Sequence, residues 1–231
     1  MFVRAAADLF NIGIDELPSS PESLQRMIKT YIMEQEWNIV YDLIEFLART
    51  YSIDVTNRGF IDRCNKVLER ESSAYRFVSG RITQITSKSE IEEIDQAITS
   101  PLQIVNTHIE SALQHLSDKK KPNYRNSIKE SISAVEALCQ KITANDKATL
   151  RQALDLIASS NNKFLAQSFK QALEKIYGYS SSSEGIRHAL SDESNLGYED
   201  AKFMLVLCSA FVNYLISKAD KVGINLGIAP S

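Results

Sequence analysis

The chain holds little of what usually marks a catalytic or metal-binding protein. Its three cysteines, Cys64, Cys139 and Cys208, lie far apart and form no C-x-x-C pair. That spacing argues against a disulfide scaffold and against a cysteine-built zinc site. Histidine is equally scarce, with only His108, His115 and His188, and none falls in an H-E-x-x-H. No G-x-x-x-x-G-K-[ST], no G-x-G-x-x-G behind a strand and no G-x-S-x-G occurs. Nucleotide hydrolysis, dinucleotide binding, zinc proteolysis and α/β-hydrolase chemistry therefore lack their signature residues. No metal and no cofactor, nucleotide cofactors included, are expected.

Excess positive charge is missing too. Lysine and arginine number 26 against 29 acids, for a net charge of −3 and a pI near 5.7. Non-specific nucleic-acid binding draws on clustered cations, so any RNA contact needs a local patch. The one basic run, Lys119-Lys120-Lys121, reads as a solvated interhelical loop. The longest apolar run, 203–216, is interrupted by Ser209 and Asn213 and is shorter than the ~18 residues of a membrane span. The opening MFVRAAADLFNIGIDEL has neither the apolar core nor the cleavage site of a signal peptide. A cytoplasmic protein without a membrane partner is expected. Proline (5) and glycine (8) are few, no segment is a Gly/Ser linker, and nothing repeats at a fixed period.

Apolar residues at helical spacing dominate what is present. Hydrophobic residues make up 44% of 231, ample for a core. A short helix is expected over 1–10. Ser20 and Pro21 provide an N-cap and a first helical residue, followed by Leu24, Met27, Ile28, Tyr31 and Ile32 at i, i+3, i+4, i+7, i+8. Trp37, Val40, Tyr41 and Ile44 mark a second helix to about 51, and Phe60, Ile61, Cys64, Val67 and Leu68 a third over about 57–72. From 74 to 85 the period changes to alternation around Ser79-Gly80, a β-hairpin signal. A lone hairpin is marginal in water, so it should dock on helices. Ser87-x-x-Glu90 reads as a capping box. Ser100-Pro101 opens a helix with Val105, Ile109, Ala112, Leu113 and Leu116 inward, and a division is expected near residue 100 or in the loop 117–123.

The helix expected over 126–142 carries two stripes. Ile128, Ile132, Val135, Cys139 and Ile142 form the apolar one, and Asn126, Lys129, Ser133, Glu136 and Gln140 a polar one. Helices follow over about 149–157 and 162–177. The segment 200–217 is apolar nearly all round, so cover by other helices is expected. Its few polar residues, Lys202, Ser209, Asn213 and Ser217, align at about 100° per residue.

Three groups stand out as candidates. Glu184, Arg187 and His188 stand at i, i+3, i+4, adjoining positions if helical. There Glu could orient His while Arg holds a phosphate. Equally, Glu184 could favour the positive end of a helix while the others pair with neighbours. Lys129, Glu130 and Glu136, with Asn126 on the same helix, could face one cleft or form a salt-bridged side. Asn213, buried, must find partners, either a substrate or another helix whose register it fixes.

Several strings are similar to a known family. These are Ser73-Ala74-Tyr75-Arg76-Phe77-Val78 before Ile85-Thr86-Ser87, the run from Tyr124-Arg125-Asn126 to Ala134-Val135-Glu136, Tyr177-Gly178-Tyr179, Gly185-Ile186-Arg187-His188-Ala189-Leu190, and Phe203-Met204-Leu205-Val206 onward to Asn213-Tyr214-Leu215. Together, over roughly 15–216, they resemble bacterial proteins built on the fourth class of AbiJ N-terminal domain, associated with abortive infection, a form of phage defence. The C-terminal helices resemble HEPN domains, compact bundles that often act as RNases. The resemblance implies an all-α, multi-helix fold with one small hairpin. It places an AbiJ-type region at 1–100 and a HEPN-like bundle at 101–231. Relatives usually carry more sequence first, so a truncated or short member of the family is expected.

Catalytic HEPN domains carry Arg, four to six residues, then His, and two such motifs meet across a dimer. The implied chemistry is metal-independent, with His as general acid or base and Arg on the phosphate. No Arg stands five to seven positions before any histidine here; Arg187-His188 is the one pair in the right region. The expectation is a recognition or regulatory module with weak or non-standard RNA cleavage, as a homodimer and with RNA or a protein as partner. A dimeric HEPN-type ribonuclease and a purely structural interaction module are the alternatives.

Overall fold

The computed structural model describes residues 7, 10, 12–50, 54–159, 164–179, 196–224 and 226. Among these the chain is all-α with one two-stranded hairpin. It forms two compact units, Met1–Gln84 and Ile85–Ser231. The helix before residue 100, near which the sequence places a division, packs within the second unit.

In the first unit, α1 (Pro21–Glu34) starts as its residues demand. Ser20 Oγ accepts the Ser23 N–H at 3.1 Å, with Pro21 at the first position. Helices α2 (Trp37–Thr50) and α3 (Asp54–Arg70) follow. The helix expected over 1–10 lies mostly outside the described residues. Trp37 and Val67, expected inward, stand 54% and 47% exposed; each lies in a terminal turn of its helix. Strands β1 (Arg76–Val78) and β2 (Arg81–Thr83) pair antiparallel, Phe77 opposite Ile82. Ser79 and Gly80 both have positive φ, 45° and 76°, as a two-residue type I′ turn requires. The hairpin does dock on helices: Ala48, Phe77 and Ile82 form a buried cluster with Tyr41, Ile44, Phe60, Ile61 and Cys64.

The second unit contains α4 (Lys88–Ile98), α5 (Gln103–Ser117), α6 (Tyr124–Thr143), α7 (Leu150–Ser159), α8 (Gln167–Tyr179) and α9 (Tyr198–Lys221). Helix α6 packs on α5, α9 and α7, while α9 also packs on α4 and α5. Ile94, Ala97 and Ile98 of α4 are buried. Two expected helix starts differ. Ser87 is the N-cap of α4 as expected, but the reciprocal cap is not made: Ser87 Oγ lies 3.0 Å from Ser89 Oγ, and the Glu90 carboxylate pairs with Lys202 Nζ at 2.7 Å. Pro101 lies before α5 rather than in it. The Ser100 hydroxyl and carbonyl bond the Asn106 side chain, and the helix starts after Leu102. The lysine run follows Asp118, whose carboxylate accepts the N–H groups of Lys121 and Lys120 at 2.8 and 2.9 Å. Those bonds hold its pKa below the usual carboxylate value.

Helix α9, with 24 residues, is long and apolar enough to cross a membrane by length and composition alone. That corrects the sequence reading, in which the run is too short. Half of its most apolar window is nevertheless buried among the other helices. Leu205, Cys208, Val212, Leu215 and Ala219 are fully enclosed. Cover is not complete as expected: Phe203 and Tyr214 are 58% and 40% exposed, because α4, α5 and α6 leave one strip of the helix open. Two residues of the polar stripe reach α4, while the buried Ser209 hydroxyl has no hydrogen-bond partner among the described residues. Lys202 pairs with Glu90, and Asn213 Nδ2 donates to the Glu93 carbonyl at 3.0 Å and its carboxylate at 2.7 Å.

Candidate functional site

The polar stripe of α6 forms one wall of a cleft of about 1170 Å³ in the C-terminal unit. Asn126, Lys129, Ser133 and Glu136 stand along that wall; Thr149, Leu150, Arg151 and Leu154 at the start of α7, and Gln171, Glu174, Lys175 and Tyr177 of α8, complete it. One helix can present this row because 126, 129, 133 and 136 recur every three or four residues. Its start is fixed by Asn123, whose side chain accepts the Asn126 N–H at 3.1 Å.

The lining is graded in charge. Arg125, Lys129, Arg151 and Lys175 bring four cations, Glu136 and Glu174 two carboxylates. Both carboxylates are engaged. Glu136 Oε1 accepts the Leu150 N–H at 3.0 Å, and Glu174 pairs with Lys170 at 3.3 Å and Arg151 at 3.7 Å. Lys129 and Lys175 are exposed and have no ion-pair partner among the described residues. Behind the floor, the Tyr177 hydroxyl contacts Cys208, and burial, then the two nearby thiols, pushes its pKa well above the usual value. Burial pushes the Cys208 and Cys139 thiols up to about 12. They are packing groups, not nucleophiles.

Of the sequence candidates, Asn126, Lys129 and Glu136 come together in the cleft. Glu130, one residue and so about 100° round the helix from Lys129, instead meets His108 Nδ1 at 2.7 Å. Asn213 stands on the face of α9 that meets α4. Glu184, Arg187 and His188 lie outside the described residues. Neither His108 nor His115 lines the cleft. Among the described residues no three His, Cys, Asp or Glu side chains gather as a metal site would require. Sequence reasoning missed Arg125, Arg151, Lys175 and Gln171. Arg125 was within reach, one turn before Lys129. The others arrive from α7 and α8, and no spacing links them to α6.

An all-α protein with a docked hairpin and a cationic cleft in its second unit is the class so defined. Residues 4–100 match the family model described as AbiJ N-terminal domain 4, and the likeness is to that region of the chain. The domain associates it with abortive-infection phage defence. No curated protein and no solved structure matches the chain.

Proposed function

We propose that this protein is an abortive-infection module whose C-terminal unit recognises RNA through the α6–α7–α8 cleft, and that on its own it cleaves RNA weakly or not at all. One observation carries the reading: two exposed lysines without ion-pair partners, Lys129 and Lys175, face a cleft whose described lining has no histidine. Cations that neighbouring carboxylates do not neutralise are what phosphate groups need. Acid–base cleavage needs a proton donor or acceptor within hydrogen-bond reach of the ribose 2′-hydroxyl or the leaving oxygen, and histidine, the usual one, is absent from the described lining. The local patch supplies what the acidic chain as a whole lacks.

The test is anisotropy with a labelled single-stranded RNA at graded salt. The Lys129→Ala/Lys175→Ala double variant should bind weakly at every sequence. Its salt slope should fall by about 1.4, two phosphate contacts at about 0.7 each. Incubation with total RNA and tRNA, with and without EDTA, should leave both nearly intact. Robust cleavage with EDTA present, lost in both Arg187→Ala and His188→Ala, would instead establish a HEPN-type ribonuclease. Absence of RNA binding would leave a protein-interaction module.

A further inference from the structure

Single exposed apolar side chains are ordinary, but Trp37 is not single. The chain's one tryptophan stands exposed at the start of α2, and its ring leans on two others. Tyr41 lies 5.7 Å away edge-on, Tyr75 lies 5.4 Å away at 45°, and the two tyrosines are 5.1 Å apart. Hydrogen bonds fix both tyrosines. The Tyr41 hydroxyl shares one with Ser73 Oγ at 3.2 Å, and Ser73 Oγ also accepts the Tyr75 N–H. The Tyr75 hydroxyl accepts the Gln84 amide at 2.8 Å. The three rings form a rigid corner beside the hairpin, and rings already held in place lose little freedom when a ligand covers them. Two further features bear on what that ligand is. The Trp37 indole N–H donates to no described residue, whereas an indole at an interface usually finds an acceptor. Glu34 ends α1 and Glu36 directly precedes Trp37; both are exposed and have no ion-pair partner among the described residues. Arg76, next to Tyr75, turns its guanidinium to the Ser73 and Tyr75 carbonyls, each at 2.7 Å.

We propose that this aromatic corner binds a proline-rich, basic peptide in the polyproline II conformation. Prolines of such a peptide pack on aromatic rings. Its backbone makes no internal hydrogen bonds, so its carbonyls are open to the indole N–H of Trp37. Its fixed φ leaves little conformational entropy to lose on binding. Its arginines meet Glu34 and Glu36, the charge complement that gives such a contact its register. A single-stranded nucleic acid fits less well. Its bases stack on aromatic side chains, but its phosphates would face two unpaired carboxylates. The corner belongs to the first unit, Met1–Gln84, whereas the cleft residues belong to the second, so this binding goes beyond the RNA reading and does not rest on it.

A single tryptophan makes the test direct. Trp37 emission of the full chain is titrated with a synthetic peptide of three Pro-Pro-Arg repeats, and should shift to the blue and saturate. A Pro-Pro-Glu peptide keeps only the proline and a Gly-Ser-Arg peptide only the charge; each should bind at least about tenfold more weakly. By calorimetry, Trp37→Ala should weaken Pro-Pro-Arg binding about 30-fold or more, as loss of an aromatic anchor does. Trp37→Phe keeps a ring without the N–H and should weaken it about three- to tenfold, the range of one hydrogen bond. Glu34→Lys/Glu36→Lys should reverse the preference toward the Pro-Pro-Glu peptide, a readout that stands even if loss of the Trp37 ring loosens the hairpin. Unmoved emission with Pro-Pro-Arg overturns the proposal, as does equal binding of Gly-Ser-Arg, indifference to Trp37→Ala or an unreversed preference in the lysine variant. An emission shift with oligouridylate but not with the peptide also overturns it, and assigns the corner to RNA instead.

Discussion

The Glu136 carboxylate accepts the Leu150 N–H at 3.0 Å, so a side chain from the middle of α6 caps the first turn of α7. The same turn holds its own reciprocal cap, Thr149 N–H to Gln152 Oε1 at 2.9 Å and Gln152 N–H to Thr149 Oγ1 at 3.3 Å. Glu136 thus serves the fold while lending the cleft a negative charge. The two effects separate by substitution. Glu136→Gln keeps an acceptor and should hold stability, yet tighten RNA binding about two- to fivefold, the range of one partly exposed charge contact. Glu136→Ala should cost about 1–2 kcal/mol in a urea titration through the lost cap. Equal stability loss in both variants would mean that the charge, not the hydrogen bond, holds α7.

The hairpin is finished by side chains rather than by further strands. Phe77 and Ile82 face each other with their N–H groups pointing away from the ladder. Asn65 Oδ1 takes the first at 2.7 Å, and Glu45 Oε1 the second at 2.6 Å. The Asn65 amide also donates to the Phe77 carbonyl at 3.4 Å. Asn65→Leu removes a bonded edge and leaves buried Phe77 with unmet backbone groups, at a cost of about 1–3 kcal/mol. Amide exchange should report faster exchange at Phe77 than at residues of α6; unchanged exchange would show that the edge bonds are dispensable.

Burial along the helices divides residues that look alike in sequence. Phe211 is 4% exposed and touches the rings of Phe169, Tyr177 and Tyr214, whereas Ile104 is 45% exposed. Phe211→Ala should cost about 3–5 kcal/mol, and Ile104→Ala no more than about 0.5 kcal/mol, both read from denaturant midpoints. A loss below about 1 kcal/mol for Phe211→Ala would remove Phe211 from the core.

Helix positions and the hairpin were legible because both announce themselves within one segment, by 3.6-residue spacing and by strict alternation. The α6 half of the cleft was legible for the same reason: Asn126, Lys129 and Glu136 lie on one helix. Arg151 and Lys175 were not, since only packing of α7 and α8 brings them opposite α6. The Glu90 half of the capping box expected at Ser87 is absent for a related reason, Glu90 pairing with Lys202 on α9, far along the chain. The exposure of Phe203 was equally hidden, for apolar character all round a helix does not tell which side its neighbours leave open.

Alkaline pH offers a test of the core beneath the cleft. Cys139 and Cys208 are held protonated in the fold, with burial the main cause and pKa values pushed up to about 12, against an ordinary thiol value of about 8.5. Glu136 adds to the effect at Cys139, while the Tyr177 hydrogen bond works against it at Cys208. Above pH of about 8.5 the unfolded chain sheds these protons and the folded chain keeps them. The unfolded state then binds fewer protons, so stability falls as pH rises, by about 1.4 kcal/mol per pH unit for each thiol until the folded thiols titrate. Tyr177, raised in the same sense, steepens the loss above about pH 10. Cys208→Ala removes one of these protons and should flatten the slope between about pH 9 and 11 by about 1.4 kcal/mol per unit. In the native chain at about pH 8, a thiol reagent should label Cys64 first, since its pKa is raised by burial but it is only half-buried. Cys139 and Cys208 should react only on unfolding. Rapid labelling of all three cysteines in folded protein, or a stability curve flat to pH of about 11, would show that the two thiols are not enclosed.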